Sequence, residues 1–259
     1  MSVSSGDGDG GEFVRTFQLA SSGQGVPLPI GTFSDGTVLV RTSGASAMPP
    51  TGLSRDPVLL WRYLLDGELL DTVGIFEGDE MYRAGEGQRT IATSLPFGRR
   101  AMFALSGTHL FFGPGNSYHI DVFSSNGRLE RSIRQLVANG PVTKQEIERI
   151  RRPPEDQSRP RPPGFQQLIN RMPFPETKPA YGELVVDAAS NLWVAEYSLR
   201  LFETTSWTVF DPQGTLLGTV QMPRGSRVRQ IGHDYVLATW RGEDEVEHVR
   251  LYELVKPNR

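Results

Sequence analysis

Cysteine is the most informative absence in this chain of 259 residues, because none is present. Disulfide bonds, zinc–thiolate sites and thiol nucleophiles are therefore excluded together. The absence does not identify a compartment, since a chain of this length can build a sufficient core without disulfides wherever it is located.

Long apolar runs and a strong net charge are also missing. No apolar stretch reaches the roughly 18 residues that a membrane-spanning helix requires. Residues 1–11 are polar and rich in glycine, unlike a signal peptide. The formal net charge of −3 gives no general attraction to nucleic acid or to an anionic membrane. As encoded, we expect a cytoplasmic monomer without a nucleic-acid partner; a truncated start would make a periplasmic or secreted protein the expectation.

Catalytic signatures are equally scarce. The four histidines lie in different segments, and no two have the spacing of metal ligands. The chain contains no Gly-x-Ser-x-Gly motif, no phosphate-binding loop and no His-Glu-x-x-His motif. The sequence therefore predicts no catalytic residue, no metal ligand and no cofactor.

Turn-forming residues are abundant, with 28 glycines and 19 prolines. Asp66-Gly67, Asn126-Gly127 and Gln213-Gly214 each follow a run of strand-forming residues and precede another. Glycine supplies the positive φ that a tight hairpin turn requires. A second turn precedes each of these hairpins, so each unit is predicted to be a four-stranded antiparallel meander.

Repetition of this meander predicts the architecture. We expect an all-β fold, a β-propeller of four-stranded antiparallel blades with four repeats visible. The second strands begin at Val38, Leu110, Leu192 and Val236, and only the last spacing approaches the roughly 40–45 residues of a bare blade. Most of the extra length lies in residues 41–57, 74–99 and 136–180, which we expect to be connections.

The longest connection carries a helical and proline-rich insertion, at about residues 137–180. Thr143 and Glu146 form a capping box, whose side chains bond to the free backbone N–H groups of a first helical turn. The helix should extend to about Arg152, because Pro153 follows. A second short helix is predicted over residues 165–171.

The two ends of the chain depart from the repeat. The last repeat stops after its third strand, and residues 11–17 resemble a glycine turn and a fourth strand with no preceding strands. Either this orphan strand completes the last blade and hides its edge, or the chain is the C-terminal part of a larger propeller. The second explanation is favoured, because the residues before Phe13 look like the remnant of a turn. We assign residues 1–10 to a disordered tail and 11–259 to the propeller.

One phrase carries a family resemblance. Residues 184–194 read as an apolar run, Asp187, Asn191 and then Leu-Trp-Val, followed by a second match over 207–216. This pattern resembles the bacterial six-bladed β-propellers of the NHL and lactonase-like superfamily, many of them uncharacterised. The resemblance implies six blades, of which these would be the C-terminal four. Lactonase-type members hold a divalent metal through Glu, Asn and Asp, but only the phrase around Asp187 and Asn191 matches here.

Topology indicates where a binding site would lie. The tight turns of a meander blade all fall on one face, and the long connections fall on the other. Because long loops on a rigid scaffold usually carry binding, we expect a ligand or partner surface on the long-loop face. The candidate residues are Tyr197, Trp240, Arg241, Arg149 and Arg152.

Each candidate also has an ordinary structural interpretation. Trp240 and Arg241 suit stacking and hydrogen bonding to a ligand, but a Trp packed between blades beside a solvated Arg would have the same sequence. Arg149 and Arg152 could meet phosphate or carboxylate, or could pair with nearby glutamates. We predict a non-catalytic binding or scaffold module for a protein or small ligand; the alternative is a metal-dependent, lactonase-type hydrolase.

Overall fold

The computed structural model describes residues 2–5, 12–16, 18–20, 25–43, 51–85, 90–152, 164–199, 206–242 and 246–255. These residues form mainly antiparallel β-sheet, with two short helices. The strands make four sheets arranged as a four-bladed propeller, and a separate pair. The predicted all-β propeller with four visible repeats is confirmed.

The elements follow the chain blade by blade. The separate pair is β1 (Ser2–Ser5) with β2 (Glu12–Thr16), and blade I contains β3 (Leu28–Thr32), β4 (Val38–Ser43), β5 (Gly52–Tyr63), β6 (Leu69–Ala84) and β7 (Ile91–Ser94). Blade II contains β8 (Met102–Ser106), β9 (His109–Gly113), β10 (His119–Ser124) and β11 (Leu129–Arg134), and is followed by α1 (Lys144–Arg151) and α2 (Phe165–Arg171). Blade III contains β12 (Glu183–Val186), β13 (Leu192–Ala195), β14 (Ser206–Phe210) and β15 (Leu216–Gln221), and blade IV contains β16 (Ser226–Ile231), β17 (Tyr235–Arg241) and β18 (Glu247–Glu253).

The first strands of successive blades lie side by side. Strand β3 contacts β8, β8 contacts β12, and β12 contacts β16. Within blades II and III the four strands pair in chain order, so each later strand lies one position further from the first. This arrangement turns the two faces of each sheet toward neighbouring blades.

Apolar side chains from both sheet faces fill the spaces between blades. Between blades I and II, Leu39, Leu60 and Phe76 pack with Leu110 and Phe112. The junction of blades II and III contains Ile120, Val122, Leu184, Leu192 and Val194, and that of blades III and IV contains Trp193, Trp207, Met222, Val228 and Val236. Each core is therefore shared by two blades, and burial of these faces stabilises the blades jointly.

Within the described residues, one turn geometry recurs five times on the tight-turn face. In each turn of five residues, the N–H of the fourth residue donates to the carbonyl of the first residue. The N–H of the first residue donates to the carbonyl of the fifth. The fourth positions are Gly36, Gly67, Gly127, Ser190 and Gly214, with φ between 65° and 92°. This left-handed conformation explains the repeated glycine, and the three predicted hairpin glycines are confirmed.

Blade I is longer than the sequence indicates. Strands β5 and β6 continue past the blade as a two-stranded ribbon in which Gly52 pairs with Arg83, and β7 adds to the end of β6. Residues 52–57 and much of 74–99, expected to be connections, are therefore strands. The ribbon holds together because its ladder continues and because the buried Arg83 forms an ion pair with Asp56.

The insertion forms a helical lobe, defined here as residues 141–177. Both predicted helices are present, and the capping box is confirmed by reciprocal bonds between Thr143 and Glu146. Pro141 and Thr177 form a bridge that closes the base of the lobe. No helix in the described residues is long and apolar enough to cross a membrane.

The lobe packs on the ribbon of blade I. Leu168, Ile169 and Met172 are buried against Leu95, beside the partly buried Tyr82. At its base, Arg99 of the segment before β8 donates to the carbonyl of Thr177 at 2.7 Å. The lobe therefore leaves the chain between blades II and III and covers an apolar face that belongs to blade I.

The N-terminal residues form a small sheet of their own. Residues 12–16 are a strand, as the orphan-strand interpretation requires, but they pair with Ser2–Ser5. Part of the expected disordered tail is thus β-structure, because Ser2–Ser5 can complete a backbone ladder whatever their polarity. Residues 1 and 6–10 lie outside the described residues.

A matched pair of glycine substitutions tests the turn geometry. Gly36 and Gly127 have the same φ of 82°, but a Cβ at 36 would only touch Leu65, whereas one at 127 would clash with the carbonyl oxygen of Val73 in blade I. We expect Gly36→Ala to cost about 1–2 kcal/mol from backbone strain alone. Gly127→Ala should cost at least about 3 kcal/mol, since steric overlap is added. Urea unfolding measures both, and equal losses would contradict this account.

Truncation of the lobe's apolar contact tests whether it belongs to the core. Leu168→Ala should lower the free energy of unfolding by about 2–4 kcal/mol, because a buried side chain leaves a cavity. Its neighbour Gln167 is exposed, so Gln167→Ala should change it by less than about 0.5 kcal/mol. An unchanged melt of the Leu168 variant would show instead that the lobe is only loosely attached.

Candidate functional site

A cavity of about 410 Å³ opens on the long-loop face between blades II and III. Blade II contributes Tyr118 and Gln135, and blade III contributes residues 194–197 with Ser206 and Thr208. Residues 137–140 and 178–180, which lead into and out of the helical lobe, complete the wall. The cavity is thus built on the ends of strands and enclosed by the two legs of the lobe.

Tyr118 lines this cavity from blade II. Its ring lies edge-on to Tyr181, with 5.5 Å between the ring centroids. Tyr181 is fully buried and donates from its hydroxyl to the carbonyl of His119 at 2.7 Å. The Tyr118 hydroxyl lies beside Thr208 but outside hydrogen-bond geometry, and within the described residues it has no bonding partner.

The tyrosines of the site remain neutral at physiological pH. Burial raises the pKa of Tyr118 to about 12. The pKa of Tyr197 is also raised, because its burial outweighs the opposing effect of the Arg100 charge. Neutral phenols donate and accept hydrogen bonds but are poor nucleophiles and bases, so these groups suit binding rather than proton abstraction.

The Lys178 ammonium group at the cavity wall is already paired with a carboxylate. Lys178 forms an ion pair with Glu146 of the capping box, at 2.7 Å. Burial alone would raise the pKa of Glu146, but hydrogen bonds from Lys178 and Thr143 outweigh it and lower the pKa to about 2. The carboxylate is therefore ionised at neutral pH, and it fixes both the start of α1 and the ammonium group beside the cavity.

Of the five residues predicted for a binding surface, Tyr197 lines the cavity. Trp240 lies at the end of β17 in blade IV, where the Arg250 guanidinium stacks 3.4 Å from its ring and its indole N–H donates to the Arg224 carbonyl. The next residue, Arg241, forms an ion pair with Glu247 at 2.6 Å. The arginine stacked on Trp240 is therefore Arg250 of the same blade and not its sequence neighbour Arg241.

The two arginines predicted for the insertion lie elsewhere. Arg149 is in α1 and Arg152 is the residue that ends it, and both are exposed on the helical lobe. The five predicted residues therefore occupy three separate places: the cavity, the end of blade IV and the lobe. Their role in binding stays a prediction.

Asp187, the acidic residue of the family phrase, has a structural role. It is 7% exposed and accepts bonds from the backbone N–H groups of Ala189 and Asn191, from the Asn191 side chain and from the Trp193 indole, all at 2.8–2.9 Å. The Ala188 N–H donates across the blade junction to the Ile231 carbonyl. Asp187 and Asn191 therefore organise a tight turn, on the face opposite the cavity.

A histidine, an aspartate and a serine also meet on blade II. The Asp121 carboxylate oxygen lies 2.8 Å from His119 Nε2 and accepts from the Ser132 hydroxyl at 2.5 Å. The carboxylate thus stands between the other two groups, so the imidazole is not positioned to take a proton from the serine. Within the part of the chain that the structure describes, no three His, Asp or Glu side chains form a metal-binding group.

The cavity lies on the long-loop face, where the sequence predicts a binding surface, but of its lining residues only Tyr197 was predicted. Tyr118 stands in a predicted strand run, where its aromatic ring reads as core, and Thr208 reads as one more strand residue. The signal that could have found them is positional: Tyr118 precedes the third strand of blade II at its long-loop end, and Thr208 lies in the third strand of blade III. Sequence alone did not show that blades II and III leave a gap there.

Comparison with known proteins gives no family assignment. No protein-family model matches the chain, and no curated protein matches it. Similar solved structures include a luciferin-regenerating enzyme, with 14% identity, a TM-score of 0.34, and coverage of 85% of this chain and 58% of that one. A gluconolactonase from Xanthomonas campestris has 15% identity, a TM-score of 0.39, and coverage of 92% and 62%.

A third similar structure is BBS1N, solved in complex with ARL6DN, with 11% identity, a TM-score of 0.32, and coverage of 86% of this chain and 46% of that one. The chain therefore spans between about half and three-fifths of the length of the solved chains it matches. With identities below 25% and TM-scores below 0.5, these similarities support no conclusion about activity.

Substitution of Asp187 tests its structural role. Asp187→Asn should lower the free energy of unfolding by about 2–3 kcal/mol. The four donors are shared between two carboxylate oxygens, whereas an amide side chain has only one oxygen that can accept. Asp211 begins the same kind of turn in blade III, but it receives only the two backbone bonds and is less buried. Asp211→Asn should therefore cost under about 1 kcal/mol. Chemical denaturation of both variants checks this, and the reverse order would refute it.

Proposed function

We propose that this protein is a non-catalytic binding module that holds a small, uncharged, polar ligand in the cavity between blades II and III. The observation that carries the proposal is the Tyr118 hydroxyl, shielded from solvent and without a hydrogen-bond partner in the described residues, at a cavity of about 410 Å³. Buried hydroxyls are ordinarily bonded, and leaving one unbonded costs about 1–3 kcal/mol. A ligand that draws the Tyr118 hydroxyl into the cavity would remove that cost.

The surroundings favour an uncharged ligand. Lys178 is neutralised by Glu146, and the phenols of Tyr118 and Tyr197 are neutral. The interior offers hydroxyl, amide and backbone groups beside two aromatic rings, and the exposed Glu196 carboxylate in the lining disfavours an anion. Such a lining forms hydrogen bonds and stacks on a flat ring, and the volume is within the roughly 300–1,000 Å³ of small-molecule pockets.

The family phrase around Asp187 suggests both a relationship to known propellers and an alternative activity. We infer from the repeat phrase that the chain is related to the bacterial six-bladed propellers of the NHL and lactonase-like superfamily. The alternative function is then a metal-dependent, lactonase-type hydrolase, and two similar solved structures are named as enzymes. Against it, the matching residues Asp187 and Asn191 are fully engaged in a turn.

A thermal-shift experiment tests binding. Glucose, N-acetylglucosamine, uridine and benzamide are each added with EDTA present, and at least one should raise the melting temperature through mass action on the folded state. Titration calorimetry with that compound should show affinity about 5–10-fold weaker for Tyr118→Phe, which removes one hydroxyl. Tyr235→Phe removes a hydroxyl in blade IV, none of whose described residues lines the cavity, and should leave affinity unchanged. Equal affinity in the Tyr118 variant would place binding elsewhere.

A hydrolysis assay tests the alternative. Glucono-1,5-lactone is followed by pH-stat with Ca²⁺, with Zn²⁺ and with EDTA. We expect the same rate as the spontaneous reaction in all three. Metal-dependent turnover that survives Asp187→Asn in still-folded protein would establish a hydrolase whose ligands lie outside the family phrase.

A further inference from the structure

Blade IV differs from the other blades at its outer edge. Blades I, II and III each continue beyond their third strand, whereas in the described residues β18 pairs with β17 alone. The β17–β18 ladder is regular over seven residue pairs, without a bulge. A straight edge strand of this kind presents a row of backbone donors and acceptors that are suited to one more strand.

The exposed face of blade IV is also apolar. Val249 and Leu251 of β18 are 74% and 68% exposed, on the side of the sheet turned away from blade III. On the same strand, Tyr252 faces the opposite way, into the core shared with blade III. Among the residues that the structure describes, nothing therefore pairs with the outer edge of this blade or covers Val249 and Leu251 on its outer face.

The repeat defines the strand that is missing. The third strand of every blade contains an aromatic residue opposite the start of the second strand, namely Tyr63, Phe123, Phe210 and Tyr252. In blades I to III this aromatic pairs with a leucine two residues after the turn glycine, namely Leu69, Leu129 and Leu216. Tyr252 has no such partner within the described residues.

The chain contains one further segment with this pattern. Gly11-Glu12-Phe13 matches Gly67-Glu68-Leu69 in residue type, with an apolar residue two positions after glycine. Strand β2 begins at Glu12, but it forms a two-stranded sheet with β1. A two-stranded sheet by itself is marginally stable in water, so β2 has an edge to offer and free energy to gain.

The path of the chain after β2 also favours blade IV. Residues 18–20 lie on the face of blade I that is turned away from blade II: Leu19 packs beside Val38 and Tyr63, and the Tyr63 hydroxyl donates to the Ala20 carbonyl. In the order of the ring, this is the side from which a last blade meets the first. The segment that joins β2 to blade I therefore already lies on the side facing that position.

We propose that β2 docks antiparallel along the free edge of β18, with Phe13 opposite Tyr252. Blade IV then has the order β16-β17-β18-β2-β1, five strands as in blade I. In the other three blades, the residue before the third-strand aromatic pairs with the fourth-strand residue two positions after the leucine. The same register places Arg15 opposite Leu251. The occupant is the chain's own β2, so the contact joins the N-terminal residues to the last blade.

The absence of cysteine makes this contact directly testable. Arg15→Cys with Leu251→Cys introduces the only two thiols, and mild oxidation should link them in most molecules. The expected product is a monomer that migrates faster on a non-reducing gel and has no free thiols. Oxidation should also raise its melting temperature by several degrees, because the bond closes a very long loop.

The matched control is Arg15→Cys with Leu216→Cys, which places the second thiol at an exposed apolar position on the outer strand of blade III. It should stay reduced. Free thiols in the folded test variant would overturn the proposal. A covalent dimer would overturn it too, by showing that β2 docks on a second copy.

A second measurement keeps the proposal falsifiable if the double variant does not fold. Leu251→Cys alone is labelled with a maleimide, with and without the added substitution Phe13→Asp. Docking of β2 covers this edge, so Phe13→Asp should speed labelling several-fold. Equal labelling rates in the two folded proteins would contradict the docked strand.

Discussion

Each blade of this protein is apolar on both faces, and the rest of the structure depends on burying both. A single four-stranded sheet cannot do so, because its second face would remain in water. Side-by-side packing of successive sheets solves this at three junctions, where every core is shared by two blades. Stability is thus a property of neighbouring blades rather than of one sheet, as in other repeat architectures.

This constraint explains why the two ends of each blade differ. On one face the chain reverses in five turns of the same geometry, several of which touch a neighbouring blade, as Gly127 does with Val73. On the other face the connections vary in length, and one of them contains the helical lobe. The recurring requirement for close packing falls on the turns, while the opposite face is free to carry a cavity.

The fold was predictable because its signals are local. A glycine between two strand-forming runs, or Thr143 three residues before Glu146, predicts its own structure from backbone geometry alone. The ribbon of blade I was not predictable, because residues 52–57 and 74–84 extend their strands only where they pair with each other. The cavity was harder still: Tyr118 and Thr208 become a site only through a gap between two sheets, which no local pattern describes. Asp187 shows the opposite error: its sequence pattern resembles that of metal-binding enzymes, but its carboxylate stabilises a turn.

The two legs of the helical lobe are also a wall of the cavity. Residues 137–140 and 178–180 line it, and the bridge between Pro141 and Thr177 joins the legs where the lobe begins. A molecule held by that wall would restrain the legs, and through them the helices that cover blade I. If a ligand binds more tightly when the lobe is closed, occupancy of the cavity and opening of the lobe would be linked, and reciprocally so: opening the lobe would weaken binding by the same factor by which binding disfavours opening.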